Sequence, residues 1–280
     1  MHPYVVADVF TDTPLQGNAL AVFTEADRIP GERMQAIARE TNLSETVFVL
    51  PAEGTDADAR IRIFTPAAEL PFAGHPTLGA AMILGDRADQ EVVRLATGAG
   101  VIPVELTRRD GRVVSGRMRQ PIPAWQPYER ADELLAALHV SASALPVIGY
   151  LNGPRHVYVA LEHEDAVAAL DPDLGALAKH SGVGVNCFAG SGTRWKTRMF
   201  GPGLGVAEDP ATGSAAGPLA IHLARHGRIG YGEEIEISQG GEIGRPSTLY
   251  ARVEGAGDRI DRVEVAGSAV VVARGELLHT

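Results

Sequence analysis

Apolar residues alternate along most of this chain, predicting a protein built mainly of sheet, with two stretches that break the alternation in the same way. Residues 4–10 form a β-branched run typical of a strand, and Ala19-Leu-Ala-Val-Phe23, after the Gly17-Asn18 turn, reads as its hairpin partner. Residues 27–40 space Met34, Ile37 and Ala38 as a helix does, with Pro30 early, so an outer helix is expected there. Extended sequence follows over 45–50, and Arg60-Ile-Arg-Ile-Phe64 alternates as a strand should. Short strands over 92–95, 101–106 and 113–118 are separated by Gly or Arg-Asp-Gly turns. Gln120-Pro-Ile-Pro-Ala-Trp-Gln-Pro127, rich in proline, is expected to be irregular and to link two halves. Beyond it the pattern predicts helices over 131–138 and 174–180, strands over 155–160 and 194–200, and closing strands near 235–237, 249–253, 262–265 and 270–273.

The two exceptional stretches match each other. Glu208-Asp-Pro-Ala-Thr-Gly-Ser-Ala-Ala-Gly-Pro-Leu-Ala-Ile-His-Leu-Ala-Arg-His-Gly227 joins a polar turn to a helix apolar on nearly every face, which other structure has to enclose. Glu69-Leu-Pro-Phe-Ala-Gly-His-Pro-Thr-Leu-Gly-Ala-Ala-Met-Ile-Leu-Gly85 aligns with it without gaps, 139 residues earlier, pairing Glu69 with Glu208, Gly74 with Gly213 and His75 with Ser214. Arg62-Ile-Phe-Thr-Pro66 matches Arg198-Met-Phe-Gly-Pro202 at an offset of 136, and Ala36-Ile-Ala-Arg39 lies 140 residues before Ala176-Leu-Ala-Lys179. A repeat of half the chain implies a duplicated domain. The expected class is α+β: two pseudo-twofold-related halves, each a mostly antiparallel or mixed, barrel-like sheet around a buried central helix. The first half is expected over 1–127, completed by a strand over 268–280, and the second over 128–267, with both helix starts on one cleft. The second helix is expected to begin near Ala215 with Ser214 as N-cap. A start at Pro210 behind Asp209 would bury Pro218 deep in the helix, at a cost of about 3 kcal/mol. The opening N–H groups near Gly74 and Gly213 would form an anion site.

Composition narrows the field. With 45% hydrophobic residues and no low-complexity run, the chain has ample material for a core. A net charge of −10 and the lack of a basic stripe argue against nucleic acid. Apolar runs such as 78–84 are too short for a bilayer, and Met1-His-Pro-Tyr-Val-Val does not read as a signal peptide, so no membrane association and a cytoplasmic location are expected. The single Cys187 excludes an intrachain disulfide and a CxxC pair.

Gly201-Pro-Gly-Leu-Gly205 has the wrong spacing for a dinucleotide fingerprint and no P-loop exists, so no nucleotide cofactor is expected. Ser214 has Thr212 and Ala216 where a nucleophile elbow needs glycines, which leaves it a capping or substrate-contacting role. His222 and His226 have a zinc-compatible spacing but lack the Glu of HExxH, and no metal is expected. Three groups remain, each open to two interpretations. Glu45 closes a capping box with Asn42, or is a partly desolvated proton carrier. His75 is a helix cap, or an acid, base or hydrogen-bond partner. Asp209 pairs with a substrate ammonium, or is a solvated turn carboxylate.

At these residues the sequence resembles the PhzF-like phenazine-biosynthesis isomerases of the diaminopimelate-epimerase-like fold. The likeness runs over essentially the whole chain, through Pro14-Leu-Gln-Gly-Asn18, Asn42-Leu-Ser-Glu-Thr46, 69–77, Gln120-Pro-Ile-Pro123, Asn152-Gly-Pro-Arg-His156, Asn186-Cys-Phe-Ala-Gly190 and 208–227. It implies a homodimer, no cofactor and a small cyclic amino-carboxylate substrate, trans-2,3-dihydro-3-hydroxyanthranilate. Glu45 would carry a proton from C3 to C1, giving an aminoketone that condenses toward phenazines. By the same resemblance His75 and Asp209 contact the substrate's polar groups, Ser214 assists, Thr212 belongs to the binding turn, and N–H groups near Gly74 and Gly213 hold the carboxylate. The epimerases of this fold carry a cysteine at each helix-start turn. Ala73-Gly74 and Thr212-Gly213 stand there in this chain, so two-thiol chemistry is not available to it. Pro210 departs from the family's alanine, stiffening the turn. The alternatives are another cofactor-independent isomerase or epimerase of a small carboxylate, and a non-catalytic carboxylate-binding protein.

Overall fold

The opening alternation folds as β1 (His2–Val9) and β2 (Asn18–Phe23), an antiparallel pair. The chain continues through α1 (Gly31–Thr41), β3 (Glu45–Leu50), β4 (Ala59–Phe64), β5 (Glu69–Leu70), α2 (Gly74–Ala88), β6 (Val92–Thr97), β7 (Gly100–Arg109) and β8 (Arg112–Arg119). After β8 come β9 (Ala124–Pro127), α3 (Ala131–Ala137), β10 (Ile148–Leu151), β11 (Arg155–Ala160), α4 (Glu164–Ala168), α5 (Leu174–Leu177), β12 (Val183–Ser191), β13 (Arg194–Gly201) and β14 (Val206–Asp209). The last elements are α6 (Gly213–Arg225), β15 (Glu234–Gln239), β16 (Ser247–Ala256), β17 (Arg259–Gly267) and β18 (Ala269–Leu277). This computed structural model describes residues 1–54 and 56–278, so the last two positions of the strand expected over 268–280 lie outside the described residues. Contacts separate two compact units, Met1–Gln120 with the stretch from Ala266 onward, and Pro121–Val265. No described helix is long and apolar enough to cross a membrane.

Within the first unit β18 pairs antiparallel with β1, β2 pairs parallel with β3, β4 pairs antiparallel with β3 and β5 and parallel with β6, and β7 pairs antiparallel with β6 and β8. The second unit repeats that order. β10 and β11 are antiparallel, β11 and β12 parallel, β13 is antiparallel to β12 and β14 and parallel to β15, and β15 and β16 are antiparallel. Parallel neighbours need a crossover, and each unit threads its apolar helix, α2 or α6, through the second one. α6 is buried from Gly213 to Ala224. α2 approaches its sheet so closely that a Cβ on Gly79 would lie 2.7 Å from a Leu20 methyl and 2.8 Å from one of Val9. The outer helix α1 lays Met34, Ile37 and Ala38 on Phe23, Phe48 and Phe64.

The same clamp recurs in both units. Arg62 on β4 grips Glu69 through two bonds of 2.7 Å with its guanidinium 5.0 Å from the Phe64 ring centroid; Arg198 on β13 grips Glu208 at 2.9 and 2.8 Å with its guanidinium 4.8 Å from the Phe200 centroid. Hydrogen bonding to its carboxylate raises each arginine above its ordinary range. The surroundings differ: the Arg198 and Glu208 side chains are 9% and 12% exposed, those of Arg62 and Glu69 25% and 43%. Arg198→Ala leaves a largely buried carboxylate unpaired and is expected to cost about 3 kcal/mol. Arg62→Ala removes a wetter pair and should cost about 1 kcal/mol or less. Urea unfolding distinguishes them, and equal losses would contradict the assignment.

Three expectations change. Residues 124–127, expected to be irregular, form a short strand on β10, where Pro127 at the strand end costs little pairing. The helix expected over 174–180 stops at Leu177. α6 begins at Gly213, with Thr212 at the N-cap position, so Ser214 is its second residue and Pro218 lies inside the helix. Proline there removes the N–H that would bond the Ser214 carbonyl. Asn152 Nδ2 donates to that carbonyl instead, at 3.2 Å, which accounts for a proline the sequence placed at the helix edge.

Candidate active site

The Asn42-x-x-Glu45 spacing does not serve a helix start. Asn42 is the left-handed residue that ends α1, its N–H returning to the Ala38 carbonyl, and Glu45 opens β3. Pairing of β2 with β3 sets Glu45 opposite Leu20, two residues from Asn18. His75 is the second residue of α2 rather than its cap. Its Nδ1 lies 3.3 Å from Asn18 Nδ2 and its Nε2 3.1 Å from Glu45 Oε2, an approach too bent to count as a hydrogen bond. The imidazole is 4% exposed, and burial lowers its pKa to about 3, so it is neutral at neutral pH. The Glu45 side chain keeps 15% of its surface. Because Pro76 has no N–H and Thr77 N–H already bonds Ala73, the opening donors of α2 reduce to Gly74 and His75.

In the second unit Asp209 ends β14 and is 7% exposed, which rules out the solvated-turn interpretation. Thr212 Oγ1 donates to Asp209 Oδ2 at 2.6 Å. Gln239, at the end of β15, holds this turn with its whole amide: Nε2 donates to the Asp209 carbonyl at 2.8 Å and to Thr212 Oγ1 at 3.0 Å, while Oε1 accepts the Thr212 N–H at 3.2 Å. Ser214 Oγ meets His156 Nε2 at 2.9 Å, and Asn186 Nδ2 lies 3.3 Å from His156 Nδ1. Burial lowers the His156 pKa to about 3 as well.

The duplication gives the site a direction. Phe48 faces Arg62 across β3 and β4 as Cys187 faces Arg198 across β12 and β13, and Leu20 faces Glu45 as His156 faces Gly184. With the two arginine clamps as landmarks, Gly184 occupies in the second unit the position Glu45 occupies in the first. The fold is doubled, but this carboxylate is not.

Asn18, His156, Asn186 and Gln239 were absent from the candidates. Asn18, His156 and Asn186 fall inside quoted motifs, which was the available signal; Gln239 is a lone amide at a strand end and gives none. His222 and His226 do not converge on a metal: His222 Nδ1 meets Tyr150 Oη at 3.2 Å and His226 Nδ1 meets the His222 carbonyl at 2.7 Å. Among the described residues no group of three or more His, Cys, Asp or Glu is arranged around an ion. Cys187 is buried, and burial pushes its thiol well above the ordinary range. A groove of about 860 Å³ in the first unit, lined by Tyr4, Met82, Arg87, Arg112 and Val270 among others, contains none of the candidates.

The chain matches the family described as phenazine biosynthesis-like protein over residues 7–275. It is 57% identical to the trans-2,3-dihydro-3-hydroxyanthranilate isomerase of Pseudomonas aeruginosa, covering 98% of this chain and 99% of that one. It is 54% identical to the isomerase of the same name from Pseudomonas fluorescens, covering 99% and 100%. Among solved structures, a phenazine biosynthesis protein of the PhzF family from Bacillus anthracis superposes with a TM-score of 0.86 at 25% identity, over 99% of both chains.

Proposed function

We propose a function from one premise: the chain belongs to the phenazine biosynthesis-like family. It is an isomerase that converts trans-2,3-dihydro-3-hydroxyanthranilate by moving a proton from C3 to C1, and the resulting enol relaxes to an aminoketone. The observation that carries the mechanism is the asymmetry of the duplication: Glu45 stands beside a buried neutral imidazole, and glycine takes its place in the other unit. An epimerase that works by two opposed bases needs a second acid/base group. One carboxyl that removes a proton and returns it elsewhere on the same face shifts a double bond instead.

Glu45 is the acid/base. His75, neutral and with Nδ1 engaged by the Asn18 amide, keeps its Nε2 close to Glu45 and available to the substrate's polar groups. Asp209, fixed by Thr212 and Gln239, is the partner suited to the substrate's ammonium, and N–H groups at a helix start, near Gly74 or Gly213, suit its carboxylate, with Ser214 assisting. Such pre-aimed donors also stabilise charge that builds on the ring as the proton leaves. Family membership is what supports a homodimer. Incubation with trans-2,3-dihydro-3-hydroxyanthranilate at catalytic protein concentration is expected to abolish the substrate's diene absorption. An unchanged spectrum would remove this reaction from consideration.

A further inference from the structure

We infer that His156 and Asn186 are positioning residues that fix the Ser214 hydroxyl as a hydrogen-bond donor toward the substrate carboxylate; the inference rests on the isomerase reading above. Asn186 Nδ2 donates to the Gly184 carbonyl at 3.2 Å. A carbonyl only accepts, so the nitrogen end of this amide has a fixed location. The same nitrogen lies 3.3 Å from His156 Nδ1, so Nδ1 is the acceptor and the ring's single proton sits on Nε2. Nε2 then donates to Ser214 Oγ at 2.9 Å. Having accepted from the ring, Ser214 turns its own proton away from His156, and that ring is the one partner its hydroxyl has among the described residues.

The train is built rather than incidental. His156, Asn186 and Ser214 are 1%, 3% and 5% exposed. Burial keeps the imidazole in its neutral, one-proton form. The approach depends on Gly184, where a Cβ would come within 3.1 Å of His156 Nδ1. Reversed polarity, in which histidine takes the serine proton and makes a nucleophile, is closed to this arrangement because Nε2 already carries hydrogen. A hydroxyl whose hydrogen points away from the ring suits an anionic oxygen.

Histidine ¹⁵N spectra of the full chain are expected to show His156, assigned by its loss in His156→Leu, with a protonated Nε2 and a bare Nδ1. In Asn186→Asp an acceptor replaces the donor, and the proton is expected to move to Nδ1 or both nitrogens to become protonated. Ser214→Ala should weaken binding of 3-hydroxyanthranilate, the aromatic analogue, by about tenfold or more. His156→Leu should do the same, the double variant should be no worse than Ser214→Ala alone, and His156→Gln, which keeps an N–H donor, should recover part of the loss. A proton on His156 Nδ1 in the unmodified protein, or additive losses in the double variant, would overturn the proposal. Where His156→Leu fails to fold, the Asn186→Asp spectrum and the His156→Gln binding decide. Absence of turnover in the unmodified protein would instead remove the isomerase reading, whatever the tautomer.

Discussion

Glu45→Gln is expected to lower turnover of trans-2,3-dihydro-3-hydroxyanthranilate by about 10²–10⁴-fold, the range for losing a positioned general acid or base. Binding of 3-hydroxyanthranilate should be nearly unchanged. The side chains have the same shape, and the glutamine carbonyl can still face His75 Nε2, which lies 3.1 Å from Oε2 in Glu45. What is lost is the capacity to hold and return a proton, and Gly184, at the corresponding place in the second unit, cannot supply it. Glu45→Asp keeps the chemistry and withdraws the carboxyl by one methylene, so activity between the two is expected. The pair of measurements separates catalysis from binding. A Gln variant that turns over normally would make Glu45 a structural carboxylate, and one that loses both properties together would make it a binding residue.

The sequence made the duplication visible because its most constrained parts, the turns and apolar starts of α2 and α6, cannot drift. A helix with no polar face leaves few residues that can change. Most strands were legible from alternation for the same reason: one face of each is core. Among those that were not, β10 and β12 show why. Ile148-Gly-Tyr-Leu151 is four residues long, and Val183-Gly-Val-Asn-Cys-Phe-Ala-Gly-Ser191 is buried on both faces for most of its length, so it shows no period of two. Glu45, His75, Asp209, Thr212 and Ser214 stood out in the sequence as candidates. Their supports were less so, because a support is defined by what lies across the sheet. Nothing near Gln239 in the chain announces that it holds Asp209 and Thr212 from β15. The Ser214 cap was misjudged because a helix-internal proline looked too costly, and its compensation, the Asn152 amide, comes from 62 residues earlier.

Acid should begin to destabilise this protein well above the ordinary carboxylate range. His75, His156 and His222 are driven by burial from 6.5 to about 3. Above pH 6.5 these groups are neutral in both states and contribute no pH dependence. Between 6.5 and about 3 the unfolded chain binds three protons that the folded one refuses, so stability falls as pH falls. Each proton is worth about 1.4 kcal/mol per pH unit, and three together give a slope approaching 4 kcal/mol per unit. A domain of ordinary stability, about 5–15 kcal/mol, is then expected to lose its fold between roughly pH 5 and 3. The urea midpoint should already drop between pH 6.5 and 5, before carboxylates such as Glu69, lowered by its Arg62 bonds from 4.5, begin to take up protons. His222→Phe, deep in α6 among Tyr150, Tyr158 and Phe188, should reduce the slope by about one proton while leaving the two site imidazoles in place. Turnover per folded molecule should show no ionisation from His75 or His156 over the same interval, because each stays neutral until the structure is lost. A urea midpoint that stays level from pH 7 to 5 would mean that these rings accept protons in the folded state, and with that the neutral imidazole beside Glu45 would go.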